Sequence, residues 1–337
     1  MYPFLSAVLS VGLLAGPPGG SSLRTLKSLP VGGTGGWDYV TLDSSAKRLY
    51  VPRSDRVMVL DLEGTRIGEI TGTDGVHGVA LAPGLDRGFT SNGRSNTITI
   101  FRLSTLEILG QVKATGEGPD AILFDPYSNR VFSFNGRGKN ATVIDASNGN
   151  VVGTIPFGHK PEFATTDLKG HVFVNLEDSA EVAVVDAKKL TVEQKWSLAP
   201  LEDPTGMAID LKHNRLFIVG GNKLMAVVDA GSGKIVATPA IGAGADAAVY
   251  DPGLGLAFSS NGEGTLTVIH QDGPDRYTTL EQVPTKRGTR TMALDEKTHR
   301  LYLPTADFSP APAPTPETPR PRPIVVAGTF QLLVVGP

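Results

Sequence analysis

Seven polar residues stand at equivalent points of a repeated pattern: Asp38, His77, Asp120, Glu162, Thr205, Asp246 and Arg290. They are spaced 39, 43, 42, 43, 41 and 44 residues apart, and the positions around them are mostly Val, Ala, Ile or Leu. Asp38, His77, Asp120 and Glu162 come from four consecutive units. Carboxylate oxygens with an imidazole nitrogen are a donor set for a divalent cation: calcium, manganese, iron(II) or zinc. Like charges gathered without a cation push a carboxyl pKa upward, which opposes folding unless something offsets it. Thr205, Asp246 and Arg290 complete the circle. His159, three residues before Glu162, and Trp37, beside Asp38, are further candidate ligand contacts.

This set of side chains leaves several readings open. It suits a site for a small ligand or cation. A carboxylate or histidine beside a bound cation also activates water or polarises a carbonyl, the chemistry of a metal-assisted lactonase or esterase. A polar lining of a wet channel needs no ligand at all, with Arg290 balancing Asp38 and Asp246. A protein-interaction scaffold is a further alternative. With no cysteine, the chain has neither disulfides nor thiolate chemistry. There is no G-x-S-x-G turn, and the register brings no Ser-His-Asp set together. "GGTGGW" and "GAGADA" precede strands and not helices, so they are not phosphate loops. Asn92, Asn135 and Asn261 follow a strand in "SNG", "FNG" and "SNG", as turn residues or as amide contacts.

The elements that must position these residues are short strands. "GPDAILFDPYSNRVFSFNGRGKNATVIDASNG", residues 118 to 149, holds three apolar runs separated by Asp-Pro and Asn-Gly turn signals, and it recurs along the chain. Asp43, Ala82, Asp125, Asp167, Asp210, Asp251 and Asp295 end the first run of each copy. A period near 42 residues with about four strands per unit is a propeller blade, because one unit cannot bury its own apolar face. Seven units predict an all-β, seven-bladed β-propeller. The first strand of each blade lines the axis, so the seven polar residues share one height at one mouth of the channel.

The last unit stops after its third strand at "FQLLVVGP", and "SLRTLKSLPVGG" (22 to 33) matches a fourth strand. The N-terminal strand is therefore expected to complete blade 7 and close the ring, removing exposed sheet edges. Residues 22 to 337 form one propeller. Residues 1 to 21 resemble a signal peptide, apolar from Pro3 to Ala15 though without a basic start. This predicts a periplasmic or secreted protein with no membrane span in the mature chain, and a monomer. Residues 304 to 329 carry a Pro-rich insertion in blade 7, read as an extended surface loop leaving the same face as the polar ring. Formal net charge is -3 with pI near 6.1, and no basic run is present, which argues against a nucleic-acid partner.

The sentence "NRVFSFN…ATVIDASNGNVVGTIPFG" and its relatives "NRLFIVGGNKLMAVVDAGSGKIVATPAIG" and "HRLYLPTADF" resemble the YVTN or YncE-like family of exported seven-bladed propellers. The resemblance spans roughly residues 22 to 337. It implies the architecture and export, and it brings no agreed catalytic residues with it. Some similar propellers are lactonases, and others bind partners or nucleic acid.

Overall fold

The computed structural model describes residues 23–313, 315 and 323–337. Seven four-stranded antiparallel sheets make up a seven-bladed β-propeller. In six blades the strands follow chain order from axis to rim. Blade 7 is composite. Its inner three strands are Ala293–Asp295, Arg300–Thr305 and Gln331–Gly336, and its outermost strand is the N-terminal Arg24–Pro30. Leu29 pairs with Leu332 and Arg24 with Gly336, so the ring closes as the sequence predicts. The signal-peptide reading falls on residues 1 to 21, outside the described residues.

The apolar runs are continuous because both faces of each blade are buried. Among the described residues the core divides into seven clusters, each filling the space between two neighbouring blades. Alternate side chains of one strand serve different clusters. In blade 4, Val172 and Val174 pack toward blade 3 while Phe173 packs toward blade 5. Each blade also places one buried aromatic near the middle of its second strand: Tyr50, Phe89, Phe132, Phe173, Phe217, Phe258 and Tyr302. Truncating such a ring typically costs about 3–5 kcal/mol.

The recurring aspartates are turn devices. Asp43, Asp125, Asp167, Asp210 and Asp251 each accept hydrogen bonds from backbone N–H groups two to four residues ahead, closing the turn into the second strand. Asn92, Asn135 and Asn261 are fully buried, and each donates its amide across the hairpin to the third strand, reaching Thr99, Thr142 and Thr267 at 2.9 Å. They lock blades 2, 3 and 6 and leave no amide for a ligand.

The insertion differs from a plain surface loop at its described ends. Ser309 N donates to Ile324 O at 2.9 Å and Val326 N donates to Asp307 O at 2.8 Å, making a short antiparallel stem bridged at Phe308 and Val325. An ion pair joins Asp307 to Lys286, and Phe308 packs on Trp37. The flanking "ADFS" and "IVVAG" segments contain no proline and so keep their N–H groups for pairing. Residues 314 and 316 to 322 of the proline run lie outside the described residues. No helix among the described residues is long and apolar enough to cross a membrane.

Candidate functional site

In blades 2 to 6 the ring residue is the second residue of the first strand: His77, Asp120, Glu162, Thr205 and Asp246. Each lies within a register shift of the ladder to the second strand. A bulge at that point frees the side chain from the sheet face and turns it toward the axis. Asp38 and Arg290 precede the shorter first strands Thr41–Asp43 and Ala293–Asp295 of blades 1 and 7. Neighbouring side chains hold the ring backbone. Ser91 donates to Asp120 O and Ser260 to Arg290 O, Asn175 Nδ2 donates to Thr205 O at 2.5 Å, and Thr291 Oγ1 donates to Asp38 O at 3.0 Å.

Five of the seven residues join in one chain of contacts across blades 6, 7, 1, 2 and 3. Arg290 pairs with Asp246 at 2.7 Å and with Asp38 at 3.6 Å. His77 Nδ1 lies 2.7 Å from Asp38 Oδ2 and 3.5 Å from Asp120 Oδ1. One ligand atom each from Asp38, His77 and Asp120 fall within 4.8 Å of one another, the separation expected of donors around one ion.

Glu162 stands apart from that trio. Its Oε1 accepts a 2.6 Å hydrogen bond from Tyr39 of blade 1, and its Oε2 lies 3.3 Å from Lys160 Nζ, an ion pair without an aligned hydrogen bond. Lys160 also pairs with Glu177. The Tyr39 ring packs against Phe163 at 5.3 Å. Tyr39 thus bridges blades 1 and 4 beneath the ring, at the edge of an axial cavity of about 410 Å³. Thr205 Oγ1 donates to Ala245 O at 3.1 Å, tying two blades and offering no proton to the mouth. His159 pairs with Asp178 at 3.3 Å on the rim and does not reach the other ring residues. Trp37 packs between Phe308 and Phe330 and lines a second cavity with Asp246 and Arg290.

Burial pushes the Asp120 carboxyl up to about 7, and the Glu162 charge adds to it against the opposing pull of His77. Asp246 also rises to about 7, because burial outweighs the favourable charge of Arg290. Glu162 rises for the same reason, although Tyr39 and Lys160 oppose it. Burial alone would lower the His77 pKa, but the Asp38 hydrogen bond and the Asp120 charge raise it overall. A cation on the trio would offset the cost of holding these carboxylates charged in a buried setting.

Sequence reasoning missed Tyr39, Lys160 and Arg53. The Arg53 guanidinium, 1% exposed, donates to the carbonyls of Gly32, Thr34 and Gly35 and stacks 3.8 Å above Phe330. It holds the Gly-rich loop that delivers Trp37 and Asp38 to the mouth, and desolvation lowers its pKa to about 10. Its signal was present in register, since Arg53 occupies the position that Asn92, Asn135 and Asn261 take in other blades. No known protein-family model matches the chain, and no curated protein does. Its own geometry assigns it to the seven-bladed β-propellers, with an acidic, histidine-bearing axial mouth.

Proposed function

We propose that the protein is an exported, monomeric propeller of the YVTN or YncE-like kind that binds a divalent cation, or a small ligand through it, at the axial mouth. The observation that carries this reading is the approach of Asp38, His77 and Asp120, from three different blades, to within 4.8 Å of one another. Two carboxylates with one imidazole favour manganese, iron(II) or zinc over calcium, which prefers an all-oxygen shell. The side chains of Asp38, Asp120 and His77 are 16%, 22% and 37% exposed, so the trio is open to solvent at the mouth. The apolar stretch from Pro3 to Ala15 supports export.

The test is metal analysis of the purified protein, together with melting curves in manganese, zinc and calcium. A ligand of the folded form alone must raise the melting temperature. The expected result is stabilisation by manganese or zinc that disappears in His77→Ala. Absence of copurifying metal together with unchanged melting in all three ions would sink the reading.

A second reading, a cation-assisted lactone or ester hydrolase, is favoured by Asp246. A carboxylate held at about 7 beside a cation site is matched to proton transfer at neutral pH. Turnover of simple lactones or aryl esters that is lost on chelation and in Asp246→Asn supports it; no turnover across such a panel leaves cation binding alone.

A further inference from the structure

The cavity beside Arg290 has a volume of about 600 Å³, within the range of small-molecule sites. Its apolar wall is built by the insertion stem. Phe308 and Val325 are direct bridge partners, so their side chains project from the same face of the stem. Both line the cavity with Pro323 and Trp37, and the Phe308 and Trp37 rings stand 6.0 Å apart, inclined at 55°. Gly288 is the seat of Phe308: a Cβ there would lie 2.4 Å from the ring, on a backbone with φ +82°. The stem is therefore fitted to the mouth, and the packed Trp37–Phe308 pair forms one apolar wall of the cavity.

The charges around this cleft are unequal. Asp246, the one carboxylate lining it among the described residues, is already engaged by Arg290 at 2.7 Å. Lys286, next to Arg287, is engaged by Asp307. Arg287 lines the same cavity and has no carboxylate partner among the described residues. Arg290 is shared between Asp246 at 2.7 Å and Asp38 at 3.6 Å. The lining charge left without a carboxylate partner among the described residues is that of Arg287, beside an apolar slot. A guanidinium presents paired N–H donors that match a carboxylate.

We propose that this cavity binds a small monocarboxylate carrying a flat apolar ring, with Arg287 as the counter-ion of the carboxylate and the ring packed on the wall that Trp37, Phe308 and Val325 form. A cationic ligand is disfavoured because the sole lining carboxylate is taken. A dianion would exceed the free charge. The site does not require the cation proposed above, so it is tested in chelator-treated protein, where failure of one idea leaves the other standing.

The chain has two tryptophans, and Trp196 lies in the outer strand of blade 4. In a Trp196→Phe background the fluorescence reports Trp37 alone. Phenylacetate is the probe, with acetate and phenylacetamide as its ringless and uncharged counterparts. The expected result is a saturable change in Trp37 emission with phenylacetate, weakened by about tenfold to a hundredfold in Arg287→Gln, the loss of a charge-assisted contact. Arg66→Gln, on the outer strand of blade 1, should bind as the parent does. No saturable response to phenylacetate, equal binding of acetate or phenylacetamide, or undiminished binding in Arg287→Gln would each overturn the proposal.

Discussion

Both faces of the disc carry Asp and His in contact, yet they behave oppositely. On the face away from the mouth, Asp210 accepts from His213 at 2.6 Å, Gln271 at 3.0 Å and Lys212 N at 2.9 Å. Burial acts to raise its pKa, but these hydrogen bonds outweigh burial and bring it below the ordinary 3.8. Asp167 is lowered in the same way, with His171 and two backbone N–H groups outweighing burial. At the mouth, Asp120 and Asp246 rise to about 7. The difference lies in where the partners come from. A turn carboxylate is served by several hydrogen-bond donors, most of them a few residues ahead in its own turn, with Gln271 or His299 added from the next blade. A mouth carboxylate faces charged groups of other blades, several of them carboxylates. One face stabilises the fold, and the other holds buried carboxyls at raised pKa values.

The largest expected effect tests the structural face. Asp251 is fully buried and accepts from Gly253 N, Leu254 N and His299. Asp251→Ala strands those donors and should cost about 3 kcal/mol in denaturant unfolding. A loss no larger than that of an average surface substitution would erase the contrast. Next comes ion-induced stabilisation, about 2.7 kcal/mol at a hundredfold excess of ion over Kd. It should vanish in Asp120→Asn and His77→Ala, persist in His213→Ala on the far face, and persist in Glu162→Gln, which lies outside the trio. Equal behaviour of all four would reduce the mouth to a polar lining.

A smaller and opposite effect is expected without metal. Asp120→Asn removes a charge that the fold holds at a cost, and should stabilise the metal-free protein by about 1 kcal/mol at pH 7.5. Destabilisation there would mean that the carboxylate is held as favourably as those of the turns. The pH profile of metal-free stability sharpens the contrast further. Asp167 and Asp210 have lowered folded pKa values, so their contribution is present above 3.8 and is lost as pH falls through the folded values. Asp120 and Asp246 have raised ones, so their contribution is complete below 3.8 and is lost as pH rises toward about 7. His77, also raised, adds a loss with the same sign above its ordinary 6.5. Melting temperature should therefore climb in the acid range and then decline toward neutrality. Cation affinity should rise with pH across the neutral range, because the ion displaces protons from Asp120 and His77. A decline in affinity with rising pH would contradict the assigned ligands.

Much of this architecture is written in the chain at the level of the repeat. The aspartates that end the first strand in every blade but the second bond to their own turn, so their spacing reports blade boundaries directly. The ring register is equally local, since the second residue of a bulged first strand must face the axis in every blade where it occurs. The insertion was less legible. Its proline content describes the middle of the segment, whereas Phe308 and Val325, on either side, form the stem.

By itself the sequence determined the blade count, the closing strand, the turns, and which seven residues occupy one register position of the repeat. All of these follow from period and alternation, which act over a few residues. Only the tertiary structure decided which of the seven meet. Five link through Arg290 and His77, because these side chains are long enough to span neighbouring blades. Glu162 turns to Tyr39 and Lys160, and Thr205 to the backbone of Ala245, because each finds a partner closer than the trio. The raised carboxyls belong to the assembled ring as well. Burial and repulsion between blades arise only when segments more than 40 residues apart are brought around one axis.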